Sequence, residues 1–199
     1  MTGKEKLLEF AAKKKIFRAS EVQQELNLPR TYLSRLVAEG LLEKVGYGLY
    51  SFADSNFTEK QSLLEVAVKV PNGILCLLSA LQFHDLTTQN PFEVWLAIPR
   101  NAHIPKVETV QTRIFRFAPK VYQAGIETHI IEGIQIKVYS AAKTIADCFY
   151  YRKEVGLDVA LEALRDAWRT RQATMDELYH FSQIRNVRNV MMPYLYTLG

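Results

Sequence analysis

The sequence predicts an α+β protein in two parts, a small N-terminal domain over residues 1–54 and a larger α+β domain over residues 55–199. Two observations carry this. Apolar residues recur at helical spacing in three short segments before residue 40, and the period then changes to that of a strand pair around Gly46-Tyr47-Gly48. After a polar stretch, SFADSNFT (51–58), helical segments flank a few short strands and then run to the C-terminus. The first part has the order helix, short helix, tight turn, helix, two-stranded ribbon, which is the order of a winged helix-turn-helix.

The elements follow from local chemistry. Four capping boxes punctuate the chain: Thr2-x-x-Glu5, Ser20-x-x-Gln23, Thr58-x-x-Gln61 and Thr174-x-x-Glu177. The first helix is expected over Gly3–Lys14 with Leu7, Phe10 and Ala11 inward, and the second over Glu21–Leu26 with Val22 and Leu26 inward. Pro29 suits the first position of a third helix, Arg30–Glu39, which buries Leu33, Leu36 and Val37 and ends at Gly40. LLEKVGYGLYSF (41–52) then reads as a hairpin.

In the second part, helices are expected at 59–70 and 73–84 and strands at 92–99 and 113–117. Residues 125–140 read as a hairpin with its tip at Glu132-Gly133. Ser140 caps a helix that reaches Tyr151, and 157–171 is an amphipathic helix with Leu157, Leu161, Leu164 and Trp168 on one face. Helical segments follow at 175–185 and 187–198, the last carrying Pro193.

Composition bounds the function. With 48% hydrophobic and 23% charged residues the chain can bury a core, which excludes a disordered or fibrous protein. The most apolar run, GILCLLSAL (73–81), is about half a membrane span, and MTGKEKLLEF lacks the apolar core of a secretory signal. No membrane association is expected. Cys76 and Cys148 stand far apart in apolar contexts and read as reduced core residues of a cytoplasmic protein.

The net charge is +4. Residues 1–50 hold nine Lys and Arg against six Asp and Glu, and residues 51–199 hold sixteen against fifteen. The excess therefore gathers in the first quarter, where a polyanionic partner is expected.

A recognition helix presents its N-terminal side chains to base edges in the major groove. With Leu33, Leu36 and Val37 inward, Arg30, Thr31, Ser34 and Arg35 face out, and Tyr32 lies between the faces. Arg can bridge guanine O6 and N7, and Thr or Ser can bond base edges or phosphate. Lys44 and Tyr47 stand on or beside the wing, and Lys13, Lys14, Lys15 and Arg18 could reach phosphates from the end of the first helix. The same three lysines also suit the negative end of a helix dipole, without any ligand.

Chemistry beyond binding is not expected. His84, His103, His129 and His180 form no metal-ligand pair, and no nucleophile elbow, Walker loop or dinucleotide-binding glycine motif occurs. Lys143 and Asp147, four apart in AAKTIADCFYY, read as a surface ion pair. Asp147, Asp158 and Asp166 show no shared pocket. No catalytic residue, metal or cofactor is assigned.

The segments GYGLY, LSALQFHDLTTQNPFEVWLAIPR (78–100) and GIQIKVYSAAKTIADCFYYRKEVGLDVALEALRDAW (133–168) together resemble the AbiE-type antitoxins, the regulator half of type IV toxin–antitoxin and phage-defence modules. The resemblance implies a transcriptional autorepressor that binds an inverted repeat in its own promoter, as a homodimer where the repeat is two-fold. It implies a C-terminal domain that counters a nucleotidyltransferase-like toxin without a stable complex. On the matching positions it places DNA contacts at Arg30, Thr31, Ser34, Arg35, Lys44 and Tyr47. The alternative keeps the winged helix but uses it, with the apolar C-terminal helices, to bind a partner protein without sequence-specific DNA recognition.

Overall fold

The computed structural model describes residues 2–14, 16–46, 48–53, 59–105, 107, 110–131 and 134–198. The cap at Thr58, the hairpin tip Glu132-Gly133, and Lys15 and Tyr47 lie outside them. The chain is mixed α+β with two sheets, and it divides into two compact units, 1–71 with 130–135 and 72–129 with 136–199.

The first unit runs α1 (Gly3–Lys14), β1 (Ile16–Arg18), α2 (Ala19–Leu26), α3 (Thr31–Ala38), β2 (Leu42–Gly46), β3 (Leu49–Phe52) and α4 (Glu59–Lys69). Thr2 and Glu5 cap α1 reciprocally: the Thr2 amide donates to Glu5 Oε2 at 2.8 Å and the Glu5 amide to Thr2 Oγ1 at 3.3 Å. Leu7, Phe10 and Ala11 are buried as their spacing requires, and they pack with Phe17, Val22, Leu33, Leu36 and Leu42 into one core.

Two local expectations fail here. Ser20 does not cap α2; the helix begins at Ala19, and Glu21 reaches back to accept from the Arg18 amide at 2.5 Å. A short strand, β1, was also not expected. It pairs antiparallel with β3, Ile16 opposite Ser51, and makes a three-stranded sheet in the order β1-β3-β2. The chain thus leaves α1 extended, with Ile16 and Phe17 buried, instead of entering a simple loop.

The second unit contains β4 (Ile74–Leu75), α5 (Leu77–Phe83), β5 (Val94–Pro99), β6 (Thr112–Phe117), α6 (Pro119–Gln123), most of β7 (Ile126–Ile131) and β8 (Ile134–Tyr139), then α7 (Ala141–Tyr150), α8 (Arg152–Val155), α9 (Leu157–Arg169), α10 (Met175–Ile184) and α11 (Arg188–Leu195). Its sheet has the order β6-β5-β4-β8-β7. Strand β4 pairs antiparallel with β5 and parallel with β8, and β5 pairs parallel with β6.

The segment 73–84 was expected as one helix, but its first residues are the central strand β4. An apolar run buried on all sides has no period to separate strand from helix. Helix α9 is rotated from its expected face. Val159, Ala160, Ala163, Leu164 and Ala167 are buried, whereas Leu157 is 36% exposed and Leu161 and Trp168 are half-buried. Helix α9 packs against α7, and Ala160, Ala163 and Ala167 join Val159 and Leu164 on its buried face.

The largest departure concerns Lys143 and Asp147, which are not at the surface. Both are fully buried on α7, with Lys143 Nζ 2.5 Å from Asp147 Oδ2. Arg185, at the end of α10, brings Nε to 2.6 Å from Asp147 Oδ1. Aromatic faces stand in for water around the cations. Lys143 Nζ lies 4.2 Å from the Tyr139 ring centre, and the Arg185 guanidinium 4.4 Å from Phe117 and 4.1 Å from Tyr150. The i,i+4 spacing was legible; the burial was not, because Phe117 and Arg185, which close over the pair, come from distant parts of the chain.

Candidate nucleic-acid interface

Helix α3 is held by its underside. Leu33 and Leu36 are fully buried and Val37 is half-buried, which fixes the helix's rotation about its axis. The other side is exposed, and it carries Arg30 just before the helix and Thr31, Ser34 and Arg35 along it. Asn27, at φ +53°, ends α2 in the left-handed conformation and turns the chain toward α3. Gly40, at φ +70°, follows α3 in a conformation that glycine adopts without steric cost.

Tyr32 is half-buried and packs against the core of the first unit. Its ring closes on Gly3, where a Cβ would stand 3.2 Å from Cε1. Lys44 is exposed on β2. Val45, Gly46 and Tyr47 contribute no described side chain.

The basic residues near the end of α1 are engaged with carboxylates. Lys13 lies 3.1 Å from Glu9. Lys14 reaches Glu21 and Glu25, each at 2.8 Å, and these hydrogen bonds, Glu21's first, raise its pKa above the ordinary lysine value. Burial alone would push the Glu21 carboxyl up, but the Arg18 amide and the Lys14 ammonium outweigh it and hold the pKa below the usual range.

On α3, Arg35 Nε donates to Glu39 Oε1 at 3.0 Å, and Lys4 Nζ on α1 donates to Glu39 Oε2 at 2.6 Å. Lys4 and then Arg35 hold Glu39 below the ordinary carboxylate range. Sequence reasoning found the outward face of α3 but neither Glu39 nor Lys4. Their only signal is the i,i+4 spacing of Arg35 and Glu39, and Lys4 is 35 residues away.

Residues 5–53 match the family model described as transcriptional regulator, AbiEi antitoxin. The matched segment is about a quarter of the chain. It spans α1 through β3 and contains the outward face of α3. No curated protein matches the chain.

Among solved structures, the crystal structure of the RV2827C protein from Mycobacterium tuberculosis is similar with a TM-score of 0.62 and 11% identity, covering 100% of this chain and 78% of that one. At that identity the likeness is one of fold. Among the described residues, no group of three or more His, Cys, Asp or Glu could hold a metal ion, and no helix is long and apolar enough to cross a membrane.

Proposed function

We propose that the N-terminal part is a winged helix-turn-helix domain and that the protein is a DNA-binding autorepressor, the antitoxin of a type IV toxin–antitoxin module. One observation carries the reading. Within the segment that matches AbiEi regulators, Arg30, Thr31, Ser34 and Arg35 form one exposed face over a buried Leu33/Leu36 underside. Such a face can enter a major groove without disturbing the core.

In this reading Arg30 and Arg35 supply base discrimination, with Thr31 and Ser34 bonding base edges or phosphate. Lys44, Tyr47 and the half-buried Tyr32 flank them. Lys13, Lys14, Lys15 and Arg18 add phosphate contacts, and the first two leave their carboxylate partners to do so. Exposed ion pairs are worth about 0–1 kcal/mol, so a phosphate can displace them. The target is an inverted repeat in the protein's own promoter, bound by two copies whose recognition helices are about 34 Å apart. The C-terminal part counters a nucleotidyltransferase-like toxin in the cytoplasm, without catalysis and without a stable complex.

The test is binding of the full chain to a duplex taken from upstream of its own reading frame, at several salt concentrations. Affinity should fall steeply with salt. Arg35→Ala and Arg30→Ala should each lose about 1–3 kcal/mol on that duplex. Salt-insensitive binding, or two alanine variants that bind like the wild type, would refute the reading. Co-expression with the neighbouring toxin separately tests the second half: growth should be rescued while the two proteins elute apart.

A further inference from the structure

Glu39 sits where two general rules disfavour a carboxylate. It caps the C-terminal end of α3, the negative end of the helix dipole. It also follows its cation at i,i+4, the weaker order for such a pair. Under the reading above it carries a third cost, because it puts negative charge beside a face meant for a polyanion.

The geometry offers a compensating role, and the nitrogen that Glu39 holds decides what it is. Glu39 Oε1 accepts from Nε of Arg35, the inner nitrogen of the guanidinium. The Glu39 contact engages Nε alone, and the Arg35 side chain is 75% exposed, so the edge that carries Nη1 and Nη2 is open to a ligand. An arginine that reads guanine end-on donates with its two Nη groups to O6 and N7 and leaves Nε free for an acceptor of its own protein. Glu39 is in turn held from behind, since Oε2 accepts from Lys4 Nζ on α1. The series Lys4–Glu39–Arg35 therefore links the guanidinium to the body of the first unit and biases its orientation.

We infer that Glu39 is a positioning residue for sequence recognition: anchored by Lys4, it aims the outer edge of Arg35 at a guanine. This rests on the DNA-binding reading and adds the base class that Arg35 reads and the residue that makes the contact selective. Holding the side chain in place reduces the conformational freedom lost on docking. It also makes the bound contact demand a base with two acceptors in the right plane, whereas a free arginine would settle on any phosphate.

The experiment is selection from a duplex pool randomised over about 20 base pairs, two helical turns, with the full-length wild type, Arg35→Ala, Glu39→Ala, Glu39→Gln and Lys4→Ala. A thermal melt of each variant confirms that it is folded. The wild type should enrich a guanine in each half-site, and Arg35→Ala should lose that preference. Glu39→Ala should lower it about tenfold, a fraction of what a bidentate arginine–guanine contact contributes, while binding unselected duplex as well as or better than the wild type. Glu39→Gln keeps an amide oxygen for Nε and should retain most of the preference, and Lys4→Ala should weaken it in part. A Glu39→Ala variant that enriches guanine as strongly as the wild type overturns the inference alone, as does an Arg35→Ala variant that keeps the preference. A wild type that enriches no sequence overturns the DNA-binding reading together with it.

Discussion

Arg185 brings its Nε to 2.6 Å from Oδ1 of Asp147, whose other oxygen is 2.5 Å from Lys143, so one carboxylate faces two cations where water does not reach. The Arg185 contact is a close ion pair and not an aligned hydrogen bond, and Arg185 Nη2 is buried without a hydrogen-bond partner. Two positive groups share one negative group, and the rings of Phe117, Tyr139, Tyr150 and Tyr151 add to the counterweight. Burial pulls the Lys143 pKa below the ordinary lysine value, against the pull of Asp147.

Breaking such a cluster on one side strands a charge. Asp147→Ala leaves two buried cations unpaired and should cost about 3–5 kcal/mol. Replacing the lysine and aspartate together with apolar residues of similar volume should cost less than Asp147→Ala alone. Urea denaturation of the three proteins checks this. An Asp147→Ala midpoint equal to that of the wild type would mean that the cluster is not holding α7 to the end of α10.

Gly125 is the second point of the same packing. Its φ is +69°, and a Cβ there would stand 2.8 Å from Lys143 Cβ and 2.9 Å from Phe181 Cζ. Neither neighbour can move easily: Lys143 Cβ is fixed to the backbone of α7, and its ammonium is tied to Asp147. Gly125→Ala therefore combines backbone strain with overpacking, and should lower stability by about 2–4 kcal/mol. Gly40 is the control. It also has positive φ, +70°, but an added Cβ would meet nothing within 4 Å, so Gly40→Ala should cost only the conformational part, about 1 kcal/mol.

How much of this was readable depends on what sets each feature. Leu7, Phe10 and Ala11 were legible because a helix of ordinary length repeats its buried face several times. Strands β1 and β4 were not, since three and two residues cannot show a period. The face of α9 differs from the one that bulky residues mark, because its buried side also takes in Ala160, Ala163 and Ala167. For the candidate site, the exposure of Arg30, Thr31, Ser34 and Arg35 followed from the leucines beneath them. Glu39 and Lys4 escaped because the Lys4 contact exists only once α1 and α3 are packed together.

Thr174 and Glu177 form the capping box expected at the start of α10. The Thr174 amide donates to Glu177 Oε2 at 2.8 Å, and the Glu177 amide to Thr174 Oγ1 at 3.3 Å. Thr174→Ala should cost about 1 kcal/mol. The bonds from the Thr174 amide and then its hydroxyl hold the Glu177 carboxyl below its ordinary range. A group whose pKa is depressed by folding contributes fully above its unfolded value, about 4.3, and loses that contribution as pH falls through the lower folded value. The wild type should therefore be more stable than Glu177→Gln at neutral pH, and the gap should close below about pH 4. Thermal melts of both proteins across pH 3–7 check it, and a gap that widens in acid would contradict the assignment.

Cys76 and Cys148 are both buried and free. Burial is the main cause that pushes each thiol well above its ordinary pKa, and the Asp147 carboxylate pushes the same way. The thiolate is the reactive form, so two barriers coincide: access and ionisation. The folded protein should react with a thiol reagent such as 5,5′-dithiobis(2-nitrobenzoate) only as fast as the second unit opens, and both thiols should react at once in denaturant. Because Cys148 follows Asp147 on α7, the Asp147→Ala variant should label faster than the wild type under native conditions. Equal labelling rates in the two proteins would show that loss of the buried carboxylate does not loosen α7.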